Sequence, residues 1–143
     1  MLIGIPKIIS PDLIKILMEM GHGDEIVLAD GNFPAANYAQ RLVRCDGHHV
    51  PELLDAILKL FPLDRYVPLP TGLMQVVAGD PVQTPIWDEY RSIIEQHTGL
   101  PNPFEYIERF DFYERAKKAY AIVATSESAL YANLILKKGV IIQ

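Results

Sequence analysis

A chain of 143 residues, half of them hydrophobic and 22% charged, is long enough for one buried core and too apolar to stay disordered. Its net charge of −5 excludes a nucleic-acid footprint, and no stretch approaches the roughly 20 apolar residues of a membrane helix. The N-terminus lacks the basic and then apolar segments of an export signal, and a lone Cys45 forms no internal disulfide, so a reducing cytoplasm is the expected setting.

Helical and extended patterns alternate along the chain. Ser10 can cap a helix whose first residue is Pro11, with Asp12 favourable to the dipole. Leu13, Ile16, Leu17 and Met20 form its apolar stripe, and Gly21 is placed to end it. Residues 25–29 predict a strand, and the run Ile26-Val27-Leu28-Ala29 points to burial on both faces. Asp30-Gly31-Asn32 breaks it. Cys45 reads as a small packing residue.

A second helix is expected near Pro51, with Leu53, Leu54, Ile57, Leu58 and Phe61 inward. Residues 73–78 predict a strand. Thr84 and Pro85 open a third helix carrying Ile86, Tyr90, Ile93, Ile94 and His97 on one face, and Gly99 closes it. Tyr106-Ile107 reads as a short extended piece, and Asp111-x-x-Glu114 as a capping box for a helix through Ala119. Residues 120–125 and 134–136 predict late strands. The basic clusters Arg115-Ala116-Lys117-Lys118 and Lys137-Lys138 read as solvated faces. No linker or repeat divides the chain. The expectation is a single α/β domain over 1–143, three layers deep, with a largely parallel or mixed central sheet flanked by helices.

Several residues stand where chemistry would need them. His22 lies between Gly21 and Gly23, where a helix stops and a strand begins. An imidazole is the one unperturbed side chain that is both acid and base near neutrality. Asp30 directly follows a strand, where ligands of α/β sheets collect, although a turn aspartate that caps its own loop fits equally. Arg109 follows another strand end. Its planar fork could hold two oxygens, or pair with Glu105 or Glu108. Tyr131 and Asn133 alternate on entering a strand and so share a face, offering donors and acceptors to a polyhydroxylated ligand or forming a polar edge. Tyr113 would lie on the helix after Arg109 in a packing role.

Asp46, His48 and His49 cluster as metal ligands do. Adjacent histidines in an extended segment point apart, however, and the spaced third and fourth ligands of zinc sites are missing, so no metal is expected. No serine elbow, P-loop or dinucleotide fingerprint occurs.

Together, Gly21-His22-Gly23-Asp24-Glu25, Asp30 with Phe33-Pro34, Arg109-Phe110, Phe112-Tyr113-Glu114-Arg115-Ala116, Tyr131-x-Asn133 and Leu136-Lys137-Lys138-Gly139 resemble the L-fucose mutarotase family. The D-ribose pyranase family is its sister. The resemblance keeps order and spacing over nearly the whole chain, and Gln83-Thr84-Pro85-Ile86-Trp87 resembles animal members more than bacterial ones. It implies His22 as the catalytic acid and Asp30, Arg109, Tyr131 and Asn133 as substrate residues, with a main-chain contact at residue 132. Fucose mutarotases typically have glycine where this chain has Ala132. Arg109 matches the fucose branch, whereas the pyranase branch has histidine there.

The implied activity is α/β-anomer exchange of L-fucose by ring opening and closure, without a cofactor. The alternatives are the same chemistry on another monosaccharide such as D-ribose, and a sugar-binding accessory protein without chemistry. For the proton of the anomeric hydroxyl, Tyr131, Tyr113 and a bound water all remain open. One consequence follows from strand geometry. Eight extended residues separate His22 from Asp30 by up to roughly 26 Å, more than a monosaccharide spans. The site is therefore expected to combine residues of two subunits of a self-associating protein.

Overall fold

Ser10 opens the first helix as its place before Pro11 predicts. Its hydroxyl accepts the Leu13 N–H at 3.1 Å, and α1 (Pro11–Glu19) buries Leu13, Ile16 and Leu17. The computed structural model describes residues 1–143. The exit from α1 differs from expectation. Met20 is extended at the C-cap, and the left-handed residue is Gly23, at φ +87°, rather than Gly21. The cause is local: the Gly21 N–H donates to the Asp24 carboxylate at 2.7 Å, and the Gly23 N–H to the Lys138 carbonyl at 2.8 Å. The tight turn therefore falls at His22-Gly23.

The remaining elements are β1 (Glu25–Ala29), α2 (Ala35–Tyr38), β2 (Leu42–Cys45), α3 (Val50–Leu58), β3 (Thr71–Met74), α4 (Pro85–Thr98), β4 (Phe104–Ile107), α5 (Arg109–Lys118), β5 (Ala121–Thr125) and β6 (Leu134–Lys137). Two of them, α2 and β2, leave no signal long enough to read. The strand expected at 73–78 lies earlier, because after Met74 the chain leaves the ladder into a loop. The capping box assigned to Asp111 is also corrected. Glu108 is the cap, accepting the Phe110 and Asp111 N–H groups at 2.9 and 3.2 Å, so α5 starts at Arg109. Phe61 lies beyond α3 but is buried, and Gly99 closes α4 as expected.

The sheet order is β2-β5-β1-β6-β3-β4. Every pairing is parallel except those of β6, which runs antiparallel to β1 and to β3. Ile26 and Leu28 pack into one core with α1, α3 and α4, and Val27 and Ala29 into a second with α2 and α5. The expected double burial of β1 thus becomes three layers, with the mixed sheet in the middle. Cys45 is buried in the larger core. No helix is long and apolar enough to cross a membrane.

The reversed β6 carries the chain from the carboxyl edge of its neighbours to their amino edge. There the Gly139 N–H donates to the Pro62 carbonyl and the Asp64 N–H to the Lys137 carbonyl, at 2.8 and 3.0 Å. A Cβ at Gly139 would stand 2.6 Å from the Leu63 carbonyl oxygen and 2.8 Å from the Asp64 Cα, both backbone atoms with little room to yield. Gly139→Ala is expected to lose about 1–3 kcal/mol in urea unfolding, the usual cost of forced overpacking.

Candidate functional site

At the carboxyl edge, the ends of β1, β3 and β4 meet the start of β6 around a cavity of about 210 Å³. Asp30, Asn32, Arg109, Tyr113, Tyr131 and Asn133 form its polar side, and Phe33, Pro34, Met74 and Leu130 its apolar side. Five of these six polar residues were legible in the sequence, from stretches about a hundred residues apart, whereas Asn32 was read only as part of the break after β1. Reversal of β6 is what brings Tyr131 and Asn133, which precede a strand, beside Asp30, which follows one.

Asp30 and Asn133 are buried and joined: the Asp30 N–H donates to Asn133 Oδ1 at 2.8 Å. With that oxygen taken, Asn133 presents its NH₂ hydrogens. Asp30 Oδ1 accepts the Asn32 N–H at 3.0 Å. Burial pushes the Asp30 carboxyl above the ordinary range, against backbone N–H groups of Asn32, Phe33 and Ala132 that hold it down. Ala132 is fully buried and lends the cavity no side chain. Its carbonyl accepts the Tyr90 hydroxyl at 2.7 Å.

Arg109 makes no pair with Glu105 or Glu108. Glu105 is held by Arg115 at 2.8 Å, and Glu108 caps α5. The Arg109 guanidinium instead lies 5.6 Å from both the Phe110 and Tyr113 rings, and its Nε–H donates weakly to the Tyr113 hydroxyl at 3.4 Å. That leaves its terminal N–H donors available at the cavity. Tyr131 takes φ +55°, the sole left-handed non-glycine. The Trp87 indole N–H donates to its carbonyl at 2.8 Å.

His22 is elsewhere. It stands at the amino edge, 45% exposed, with Nε2 3.1 Å from Oδ1 of the nearly buried Asp64 and its ring 5.3 Å from that of Tyr66. The Tyr66 N–H also donates to Asp64 Oδ1, at 3.0 Å. This backbone bond, foremost, and then His22 hold the Asp64 carboxyl below its usual range despite desolvation. An ionised Asp64 fixes the hydrogen on Nε2 and leaves Nδ1 to exchange protons. Asp64 was missed because it lies 42 residues from His22 in a loop with no motif.

A larger cavity, about 580 Å³, opens beside Asp64 between the loop after α3 and the end of α4. Leu58, Phe61 and Leu63 wall it beside Lys59, Asp64, Arg65, His97 and Thr98, but most of those polar groups are engaged within the fold: Lys59 and His97 with Asp55, Asp64 with His22, and Thr98 with the Ile94 carbonyl. The polar groups of the smaller cavity converge with donors of Arg109 and Asn133 left for a ligand. The metal-like residues of the sequence disperse: Asp46 pairs with Arg44, His48 approaches Glu52 and His49 approaches Glu127. No three His, Cys, Asp or Glu side chains converge as metal ligands.

The RbsD / FucU transport protein family matches residues 3–141. A fucose mutarotase of Homo sapiens is 54% identical over 144 residues, covering 96% of this chain and 93% of its own. An L-fucose mutarotase of Actinobacillus pleuropneumoniae serotype 5b is 48% identical over 140 residues, covering 98% and 97%. The crystal structure of a fucose mutarotase from Streptococcus pneumoniae in complex with L-fucose matches with a TM-score of 0.94 at 60% identity, covering 99% of this chain and 100% of that one.

The raised pKa of Asp30 sets a pH signature. A carboxyl that titrates higher folded than unfolded destabilises the fold wherever it is charged. That cost is absent below the unfolded pKa and is complete above the folded one. Asp30→Asn should therefore melt above wild type at pH 7, and the gap should close as pH falls through the carboxylate range. Thermal unfolding across pH 3–8 measures it.

Proposed function

The chain belongs to the RbsD / FucU transport protein family, and from that premise we propose that it is an isomerase exchanging the α- and β-anomers of L-fucose. The observation that carries this reading is the full-length likeness to a fucose mutarotase solved with L-fucose. The cavity supports it, with donors and acceptors on one side and an apolar wall on the other.

Mutarotation moves one proton on and one off. The ring oxygen gains a proton, the anomeric hydroxyl loses one, and the C1–O5 bond opens to the aldehyde. The C1–C2 bond turns and the ring recloses on the other face. His22, through Nδ1, gives the ring-oxygen proton on opening and recovers it on closure, with the ionised Asp64 against its Nε2–H. The proton of the anomeric hydroxyl passes to Tyr131, Tyr113 or a bound water and returns on closure. General catalysis of this kind gives about 10²–10⁴-fold, or roughly 3–5 kcal/mol, enough for a reaction sugars already undergo in water. Proton transfer alone balances the reaction, so no cofactor is required. Arg109 and Asn133 donate to sugar hydroxyls, Asp30 accepts, and Tyr113 supports Arg109. The compartment proposed is the cytoplasm, which suits a single buried thiol.

The site is completed by a second copy. His22 and the cavity lie at opposite edges of the sheet, separated by the five-residue run of β1, roughly 16 Å long. We propose that the His22 edge of one subunit meets the cavity edge of the next. Both edges expose apolar side chains: Tyr66 beside His22, and Val77, Phe110 and Leu130 around the cavity.

Saturation-transfer NMR between anomer signals tests the reading, with fucose, galactose and ribose run side by side. Wild type should exchange the fucose anomers faster than buffer, and His22→Ala should fall about 10²-fold or more, to the buffer rate. Mixing inactive His22→Ala with inactive Asp30→Asn, after dissociation and reassembly, should restore about a quarter of wild-type exchange, because only that share of randomly assembled head-to-tail interfaces is intact on both sides. A mixture no more active than its components would leave the shared site without support.

A further inference from the structure

The loop between β3 and α4 holds a carboxylate with no place in the chemistry above. Asp80 stands in a turn whose backbone closes by its own N–H to the Val77 carbonyl at 3.0 Å. Its Oδ1 accepts the Val82 N–H at 3.3 Å. Its Oδ2 accepts the phenolic hydrogen of Tyr131 at 2.8 Å. The Val77 N–H donates to the same phenol oxygen at 3.3 Å.

A phenol has one hydrogen and two acceptor positions. In Tyr131 the hydrogen is committed to Asp80 and one acceptor position to Val77, so a single lone pair remains for the cavity that Tyr131 lines. The Tyr131 backbone is held at φ +55°, a strained conformation for a non-glycine residue. The Trp87 and Tyr90 side chains offset that strain by holding the carbonyls of residues 131 and 132.

The rest of the polar wall makes this useful. Arg109 offers only donors, and Asn133, its oxygen taken by Asp30, faces the cavity as a donor too. A sugar also brings one hydrogen on each hydroxyl. Beside Tyr131, the side chains lining the cavity with acceptor oxygens for them are Asp30, Asn32 and Tyr113, the last already taking the Arg109 Nε–H. We propose that Asp80 is a positioning residue that acts through Tyr131: by taking the phenolic hydrogen, it turns Tyr131 into a dedicated acceptor for one sugar hydroxyl. The negative charge behind the phenol strengthens that acceptor, as charged partners do along a hydrogen-bond chain. The inference rests on the sugar reading of the cavity.

The test compares wild type, Asp80→Ala, Asp80→Asn and Tyr131→Phe for binding of L-fucose and of its 2-, 3- and 4-deoxyfluoro analogues, whose fluorine cannot donate. In wild type, one analogue should bind about 5–10-fold more weakly than fucose, the worth of one such hydrogen bond. That selective penalty should vanish in Tyr131→Phe and in Asp80→Ala, where the freed phenol can donate to fluorine. It should shrink in Asp80→Asn, whose one amide oxygen must serve both the Val82 N–H and the phenolic hydrogen that two carboxylate oxygens serve in wild type. A structural role for Asp80 would weaken all ligands together and leave the ratios unchanged. If Asp80→Ala keeps every wild-type ratio, or no ratio depends on Tyr131, the inference is overturned. Should wild type neither bind fucose nor exchange its anomers, the function itself is refuted first. Asp80 is half-buried in a surface turn, and Asp80→Asn with Tyr131→Phe carries the comparison if Asp80→Ala does not fold.

Discussion

Strand β6 must run against both of its neighbours, and most of the chemistry depends on that reversal. Its backbone is buried between β1 and β3, so every N–H and C=O has to find a ladder partner. The ladder with β1 runs from Leu28↔Leu134 to Glu25↔Lys137, and the ladder with β3 from Leu73↔Leu134 to Thr71↔Leu136. A parallel strand in that slot would enter from the amino edge and deliver Tyr131, Ala132 and Asn133 to the wrong end of the sheet. Reversed, it delivers them beside Asp30 and then returns Lys138 and Gly139 to the turn that holds His22. One strand therefore ties both functional edges to a single register. Slippage by one residue would face the Leu134 and Leu136 side chains toward the other layer and break both edges together.

The two functional carboxylates are set apart by what surrounds them. Asp30 is buried with no cation in contact, so desolvation dominates and its pKa rises. At Asp64 desolvation is outweighed by the Tyr66 N–H, foremost, and then by His22, and its pKa falls. The opposite shifts suit the two roles proposed for these groups. A charged Asp64 is matched to an imidazole that carries its hydrogen on Nε2. Asp30 is kept in a costly environment that a hydroxyl-rich ligand can relieve by supplying hydrogen-bond donors.

How much of this was legible in the sequence depended on range. Elements with long periodic stripes, such as α1, α3, α4 and β1, announce themselves through Leu13, Ile16 and Leu17 or the run from Ile26 to Ala29. The four-residue α2 and β2 carry too few positions for any period to emerge. The displaced cap of α5 shows a different failure. Asp111 and Glu114 have the spacing of a capping box, but Glu108 caps three residues earlier by taking the Phe110 and Asp111 N–H groups, so Asp111 already lies inside the helix. In the site, residues that present their own side chains to the cavity could be named from position and chemistry. Partners that act only by tertiary approach could not. Asp64 lies 42 residues from His22 and Asp80 lies 51 from Tyr131, and neither sits in a motif. For Arg109 the sequence left two readings open, and the ion pair falls away because Glu105 and Glu108 are already engaged.

In the divided site proposed above, these hidden partners would let each half be ready before assembly: Asp64 against His22, Asp80 against Tyr131, and Asn133 on the backbone of Asp30. Docking the two edges would then bring organised groups together without rearranging them, which spares association the cost of ordering side chains. Because the proposed halves occupy different edges, their contact would be head-to-tail rather than face-to-face. Repeated, such a contact closes into a ring or grows without end, and the angle between the two edges decides which. That angle is a property of the sheet's twist and length and not of the catalytic groups. Relatives with the same polar residues could therefore assemble in different numbers while performing the same proton transfers.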